Sequence, residues 1–399
     1  MNKKIYTKSE QDDSNESTQR LLLKGCRSCL GCLGAIFIFS LLGSFFFSPL
    51  KAIVGLPLAF IGMLFDSPSS FKLPYNAIDF YRIAYINNQF VMYGIDYEHS
   101  GLKQLVIFNS VNGKKWNKSQ ISINDDNLNR TISVDGTFNY FNGKCYLIGA
   151  TVQPLVANDC VHWKTQPINR VERNIDTYLY KAHSSVIANG AFYVGGDDGV
   201  YKTVNGEFWV KESMPYPMES KPHNFENSFF SMAVGNNKLI TETNWRHNEK
   251  RLGLIYTKDL ITHQWSYEVY PVAINNIIRG KDRFVGMTES SAVVLVDGSS
   301  EWGKYSVKDV PVDLSYGLGG KFIGIGLLDI SDDGVYWKTM ILSDKSMWLA
   351  NHLACSSTLC LAAGAEYHLV YTYNGYKWFK IEFNHKHSKP HWWRRFINF

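Results

Sequence analysis

The sequence predicts an all-β chain: a seven-bladed β-propeller of four-stranded antiparallel blades, set behind an N-terminal transmembrane helix. Three observations predict it. A turn phrase ending in tryptophan recurs seven times, a pair of apolar runs joined by a tight turn precedes each recurrence, and one uncharged apolar stretch stands near the N-terminus.

The tryptophan phrases are SVNGKKW (110–116), NDCVHW (158–163), TVNGEFW (203–209), DLITHQW (259–265), DGSSEW (297–302), SDDGVYW (331–337) and TYNGYKW (372–378). From Trp116 to Trp378 the six intervals average about 44 residues, the length of one four-stranded blade. Upstream of each Trp lies a hairpin pattern, as in FNYFNGKCYLIG and SVIANGAFYVGG. Its turns, Asn142-Gly143, Asn189-Gly190 and Gly319-Gly320, supply the positive φ that a two-residue hairpin requires. Most second strands close on a glycine: Gly94, Gly149, Gly195, Gly286 and Gly364. Longer gaps near Glu98 and around Trp245–Lys250 mark insertions. Four short strands cannot bury both faces alone, and radial stacking buries them. Each Trp then belongs between neighbouring blades, and the Ser, Asp and Asn of the turns hold their own backbone amides.

Composition agrees. The 399 residues are 45% hydrophobic, 15% aromatic and 19% charged, which excludes a disordered scaffold and favours β-structure. A net charge of +5 calls for no nucleic-acid partner. Seven cysteines are too few for a disulfide scaffold.

Ahead of the repeats, residues 1–28 read as a disordered cytoplasmic tail and 29–50 as a transmembrane signal anchor. The core of the anchor is the charge-free run Leu33–Leu50, preceded by Arg20, Lys24 and Arg27. Eighteen residues at about 1.5 Å each nearly cross a bilayer core, and basic residues before the span keep the N-terminus in the cytoplasm. Residues 51–74 are an apolar interfacial or linker segment, broken by Gly55 and Pro57. A single span puts the propeller, residues 75–383, outside the cytoplasm, in the cell membrane as a single-pass protein. A hairpin return through Lys51–Phe65 keeps it inside. Cys26, Cys29 and Cys32 read as reduced thiols beside the membrane, with no fourth ligand for a metal.

The SDDGVYW, SVNGKKW and TYNGYKW phrases resemble the Asp-box (BNR-type) repeats of sialidase-like propellers and related assembly-factor propellers. The resemblance covers the repeats only, and here Asp333 and Gly334 are adjacent where the sialidase box spaces them. It implies a fold and carries no chemistry. Tyr81-Arg82-Ile83-Ala84 stands where sialidases carry Tyr/Phe-Arg-Ile-Pro, and there the resemblance implies an Arg82 that grips a substrate carboxylate. The Pro is absent. No motif among Arg130, Arg170, Arg173, Arg246, Arg279 and Arg283 supplies the family's further arginines, so no catalytic residue is assigned. No nucleotide, zinc or serine-hydrolase fingerprint occurs, and no metal or cofactor is expected.

Acids open most of the loops between second and third strands: Asp96 and Glu98, Asp197 and Asp198, Glu242, Glu289, Asp329, and Glu366. Converging on one face, they would form a carboxylate-lined mouth for a basic peptide, a cation or sugar hydroxyls. Cys355 and Cys360 flank a hairpin turn where a disulfide is geometrically possible, and Cys145 with Cys160 is a second candidate pair. The C-terminal tail, 384–399, is basic and aromatic: His385, His387, His391, Trp392, Trp393, Arg394, Arg395, Phe396 and Phe399. Such a tail suits a bilayer interface, a partner groove or docking on the propeller. The expected function is a non-catalytic platform for an envelope protein, peptide or glycan, with hydrolysis of an anionic sugar as the alternative.

Overall fold

A computed structural model describes residues 78–96, 103–122, 132–170, 179, 181–216, 225–226, 229, 231–247, 250–307, 310–311, 313–325, 329–339, 350–364 and 369–381, with 169–170, 225–226, 245–247 and 250 as backbone only. The cytoplasmic tail, anchor, linker, C-terminal tail, Glu98 and Glu366 lie outside these residues. Among the described residues, no helix is long and apolar enough to cross a membrane.

Seven sheets follow one another along the chain, each built on four antiparallel strands, with a parallel strand added at the edge of the second and third. Blade 1 runs Ile78–Ile86, Gln89–Asp96, Gln104–Ser110 and Asn117–Lys118, here strands a to d in order. The other strands a are Thr137–Phe141, Ser184–Ala188, Met232–Gly235, Asn275–Arg279, Asp313–Gly317 and Ala350–Cys355. Three short extra strands, Gln120–Ser122, Asn169–Arg170 and Phe225–Glu226, add to the outer edges of blades 2 and 3 and to the second strand of blade 4. In blade 4 the expected loop insertion is instead a long hairpin, Lys238–His247 paired with Lys250–Asp259.

The a–b hairpins form because their turn residues accept positive φ. Asn142-Gly143 and Asn189-Gly190 do so as expected, and Asn87-Asn88 and Asn236-Asn237 do the same with φ of 46–58°. Asparagine tolerates this left-handed region better than other residues with a side chain.

The turn before each Trp is built by side chains. In blades 3, 6 and 7 the hydroxyl of Thr203, Ser331 or Thr372 accepts from the glycine amide three residues on, at 2.8–2.9 Å. Oδ1 of Asn112, Asp159, Asn205, Asp259, Asp333 and Asn374 accepts from the amides two and three residues ahead, at 2.8–3.0 Å. The indole N–H of Trp116, Trp163 and Trp337 then donates to a carbonyl of its own turn. Blade 4 has the longer turn, and there Trp265 donates to Glu212 of blade 3, which also holds the buried Lys258.

These turns press each blade onto the one before it. Gly206 has φ +81°, and a Cβ there would stand 2.1 Å from Tyr146 Oη of blade 2. Blade 2 has no glycine at this place. Cys160 adopts φ +60° and is joined to Cys145, with Cα atoms 5.3 Å apart. Cys355 and Cys360 face each other across their hairpin and are also joined.

The core is divided into seven apolar clusters, one for each pair of neighbouring blades. Each of the seven tryptophans sits in the cluster shared with the preceding blade. Trp163, Trp209 and Trp378 are fully buried, and Trp265, Trp302 and Trp337 are half-buried. Ring closure is the same kind of contact. Trp116, Phe80, Phe108 and Met92 of blade 1 pack on Leu359, Leu361, Ala363 and Leu369 of blade 7, and blades 1 and 7 each contain four strands that are continuous in sequence.

Burial of this kind sets a graded expectation. Trp209→Ala should destabilise the protein by about 3–5 kcal/mol, whereas Trp302→Ala at a half-buried site should cost clearly less. Urea unfolding of the two variants checks the order.

Candidate functional site: the mouth of the central channel

Residues from all seven strands a line a central cavity of about 280 Å³. Its wall is more polar than the clusters between blades, because side chains at strands a stitch blade 2 to 3, 3 to 4, 4 to 5 and 6 to 7. Thr137 Oγ1 and Ser185 Oγ lie 2.9 Å apart, and Ser184 Oγ donates to Phe229 O. Ser231 Oγ accepts from Ile277 N, and Asp313 Oδ2 accepts from Leu353 N at 3.0 Å.

Arg82 differs from these stitches. The ladder of blade 1 shifts between Phe80 and Arg82, a β-bulge at Tyr81 that re-aims the side chains beyond it. Arg82 lines the cavity, and its Nη2 donates at 2.7 Å to the carbonyl of His183 in blade 3. It therefore reaches past blade 2. His183 Nε2 lies 2.8 Å from Asp197 Oδ1, and its Nδ1 lies 3.6 Å from Asp135 Oδ1. The guanidinium charge is also felt by Asp313 and His352. Burial pushes the Asp313 carboxyl up to about 6, against the opposing pull of Arg82 and two backbone amides. Burial, with the Arg82 charge, lowers the His352 imidazole to about 3, so it stays neutral.

The expected acidic mouth is only partly assembled. Asp197 reaches it through His183, while Asp198 turns outward to Tyr201 and Lys211, 2.8 Å from each. Asp96 and Asp329 are buried in or at the start of strands. Glu289 is exposed in its turn. Glu242 opens no loop: it lies in the middle of the second strand of blade 4, fully buried, with Ser231 Oγ donating to its Oε1 at 3.2 Å.

Reading the loops overlooked Asp135, His183, Asp313 and His352. The signal that finds them is polar residues in the first three positions of strand a or just before it, the strand that lines the channel. Among the described residues, no group of three His, Cys, Asp or Glu is placed to hold a metal ion.

No protein-family model matches the chain, and no curated protein matches it. Solved structures do. The extracellular domain of a one-component system from B. thetaiotaomicron is 10% identical, with a TM-score of 0.52 over 75% of this chain and 39% of that one. A puromycin-hydrolyzing peptidase of Mycobacterium tuberculosis is 8% identical, with a TM-score of 0.54 over 80% and 57%. The WD40 domain of Neurospora crassa Pan2 is 11% identical, with a TM-score of 0.50 over 74% and 89%. The chain thus spans between about two-fifths and three-fifths of the first solved structures it matches. At such identities the likeness shows the fold: this is an all-β, seven-bladed propeller.

Glu242 gives the site a pH signature. Burial raises its carboxyl to about 8, so the native state holds a proton that the unfolded chain releases near its ordinary value of 4.5. Stability therefore falls as pH rises through that interval, by at most about 2 kcal/mol between pH 6.5 and 8. Asp313 has the same sign and His352 the opposite one, both at lower pH. Urea midpoints should decline from pH 6.5 to 8 in the native sequence and stay flat in Glu242→Gln; parallel profiles would contradict this.

Proposed function

We propose that the chain is a membrane-anchored, non-catalytic binding platform at the cell envelope, holding a protein, peptide or glycan through an anionic group at the channel mouth. Arg82 carries this reading. A guanidinium has five N–H donors, and among the described residues Arg82 makes one hydrogen bond, to a backbone carbonyl. The rest of the fork stands in a cavity edged by all seven blades. A carboxylate or phosphate offers the matching bidentate geometry. The described acids favour binding over turnover, since Asp198 is held by Tyr201 and Lys211 and Glu242 is buried against Ser231. The apolar stretch Leu33–Leu50 supports the anchor and the placement outside the cytoplasm.

One observation favours the second reading, a glycoside hydrolase acting on an anionic sugar. Asp313, within the field of Arg82, has its carboxyl raised to about 6, in the range useful to a general acid.

Two probes separate the readings: a fluorogenic sialoside for turnover, and calorimetric titration with N-acetylneuraminic acid and a glutamate-rich peptide for binding. The platform reading expects binding of a carboxylate probe without turnover, weakened roughly 10- to 100-fold by Arg82→Ala, as loss of a charged hydrogen-bonding pair implies. Turnover abolished by both Arg82→Ala and Asp313→Asn would establish the hydrolase.

A further inference from the structure

The turns that precede each Trp share one construction but differ in charge. Oδ1 of Asn112 and Asn374 accepts the same two amide bonds as Oδ1 of Asp159, Asp259 and Asp333. The turn needs an acceptor and leaves the charge open. Five of the seven turns carry acids: Asp159, Glu207, Asp259, Asp297 with Glu301, and Asp332 with Asp333. The turns of blades 7 and 1 carry none, and hold Lys377, Lys114 and Lys115 instead.

The outer strands extend this bias. From 103 to 122 and from 369 to 381 the sequence has six lysines (Lys103, Lys114, Lys115, Lys118, Lys377 and Lys380) and no Asp or Glu. The two blades form one continuous surface. Lys114 Nζ of blade 1 stands 5.6 Å from the ring centre of Tyr373 in blade 7. Tyr373 meets Tyr371 edge-on at 5.5 Å, Tyr371 stacks on Phe379 at 5.3 Å, and Lys377 lies 5.2 Å from the Phe379 ring. Tyr376 is exposed beside them.

We propose that this edge of the ring, blades 7 and 1, is a docking surface for an anionic lipid bilayer. Lysines beside half-buried aromatic rings match the headgroup layer, where cationic and amphipathic side chains both gain. The course of the chain selects lipid over other polyanions. The sequence reaches blade 1 from the apolar stretch through Ile78, and about 40 Å of extended chain is available between Phe65 and that residue. It leaves blade 7 at Ile381 toward Trp392, Trp393, Arg394 and Arg395. Both chain ends therefore leave from the two basic blades, at the strand ends opposite the Lys114 and Lys377 turns, and the reach of the linker exceeds the length of those strands. The choice of lipid rests on the membrane reading proposed above; the charge asymmetry does not.

The test is amine-reactive footprinting of the full-length chain with vesicles of neutral phosphatidylcholine alone or with about 30% phosphatidylglycerol, read by mass spectrometry. Flotation with neutral vesicles at high salt reports the apolar anchor separately. The proposal expects Lys114, Lys115, Lys118, Lys377 and Lys380 to be labelled several-fold more slowly on anionic vesicles, with Lys164 and Lys304 on blades 2 and 5 unchanged. The protection should fade at high salt. It should also fall about fivefold for each lysine removed in K114Q, K115Q and K377Q, changes that leave the Asn112 and Asn374 bonds intact. Equal labelling on both vesicles, whether or not the chain floats, overturns the proposal. So does equal protection by a soluble acidic peptide in the absence of lipid.

Discussion

Every blade depends on the contact by which its tryptophan turn presses against the blade before it. Four short strands expose two apolar faces, and the repeat solves this by making one residue serve two blades. The indole fills the cluster between blades, its N–H is satisfied by a carbonyl of its own turn in blades 1, 2 and 6, and in blades 1, 3, 6 and 7 a turn glycine allows the close approach to the preceding blade. The side-chain acceptors that brace the turn keep that indole where the neighbour needs it. Closure between blades 7 and 1 obeys the same rule, so the ring is a cycle of seven similar junctions and its stability belongs to the cycle.

That arrangement separates two environments. Toward the rim, packing is apolar and tolerates little change. Toward the axis, hydroxyls, one carboxylate and backbone amides join neighbouring strands a, and the space they enclose is polar and narrow. A charged side chain placed there has little water to lean on, so burial raises the Asp313 carboxyl and lowers the His352 imidazole, with the Arg82 charge opposing the first shift and adding to the second. Glu242 stands one strand further out, where burial outweighs its single hydroxyl partner. Buried polar groups are thus concentrated where the ring must stay open, while surface charge on the outer turns can vary without touching the fold.

The fold was legible because the repeat states it seven times. Trp spacing, the Asn-Gly turns and the bracing Ser and Asp each describe a local requirement that the structure meets. Blade 4 was less legible: a hairpin lengthened within its own ladder and a loop insertion add residues in the same place, and only pairing tells them apart. The channel mouth was harder still. Acids after strand b were visible in the sequence, yet the direction of Asp198, the burial of Asp329 and the mid-strand place of Glu242 are set by register. Asp313 and His352 approach Arg82 only because blades 6 and 7 close onto blade 1, a contact between residues some 230–270 positions apart.

The claim that the ring is one cooperative cycle is tested most directly by native-state hydrogen exchange on Gly113→Ala. A Cβ at Gly113, where φ is +69°, would stand 2.5 Å from Leu359 Cδ2 and would loosen the closing junction alone. If stability belongs to the cycle, the slowest-exchanging amides of all seven blades lose protection by the same factor. Loss confined to blades 7 and 1, with the other five unchanged, would show independent blades and contradict the account.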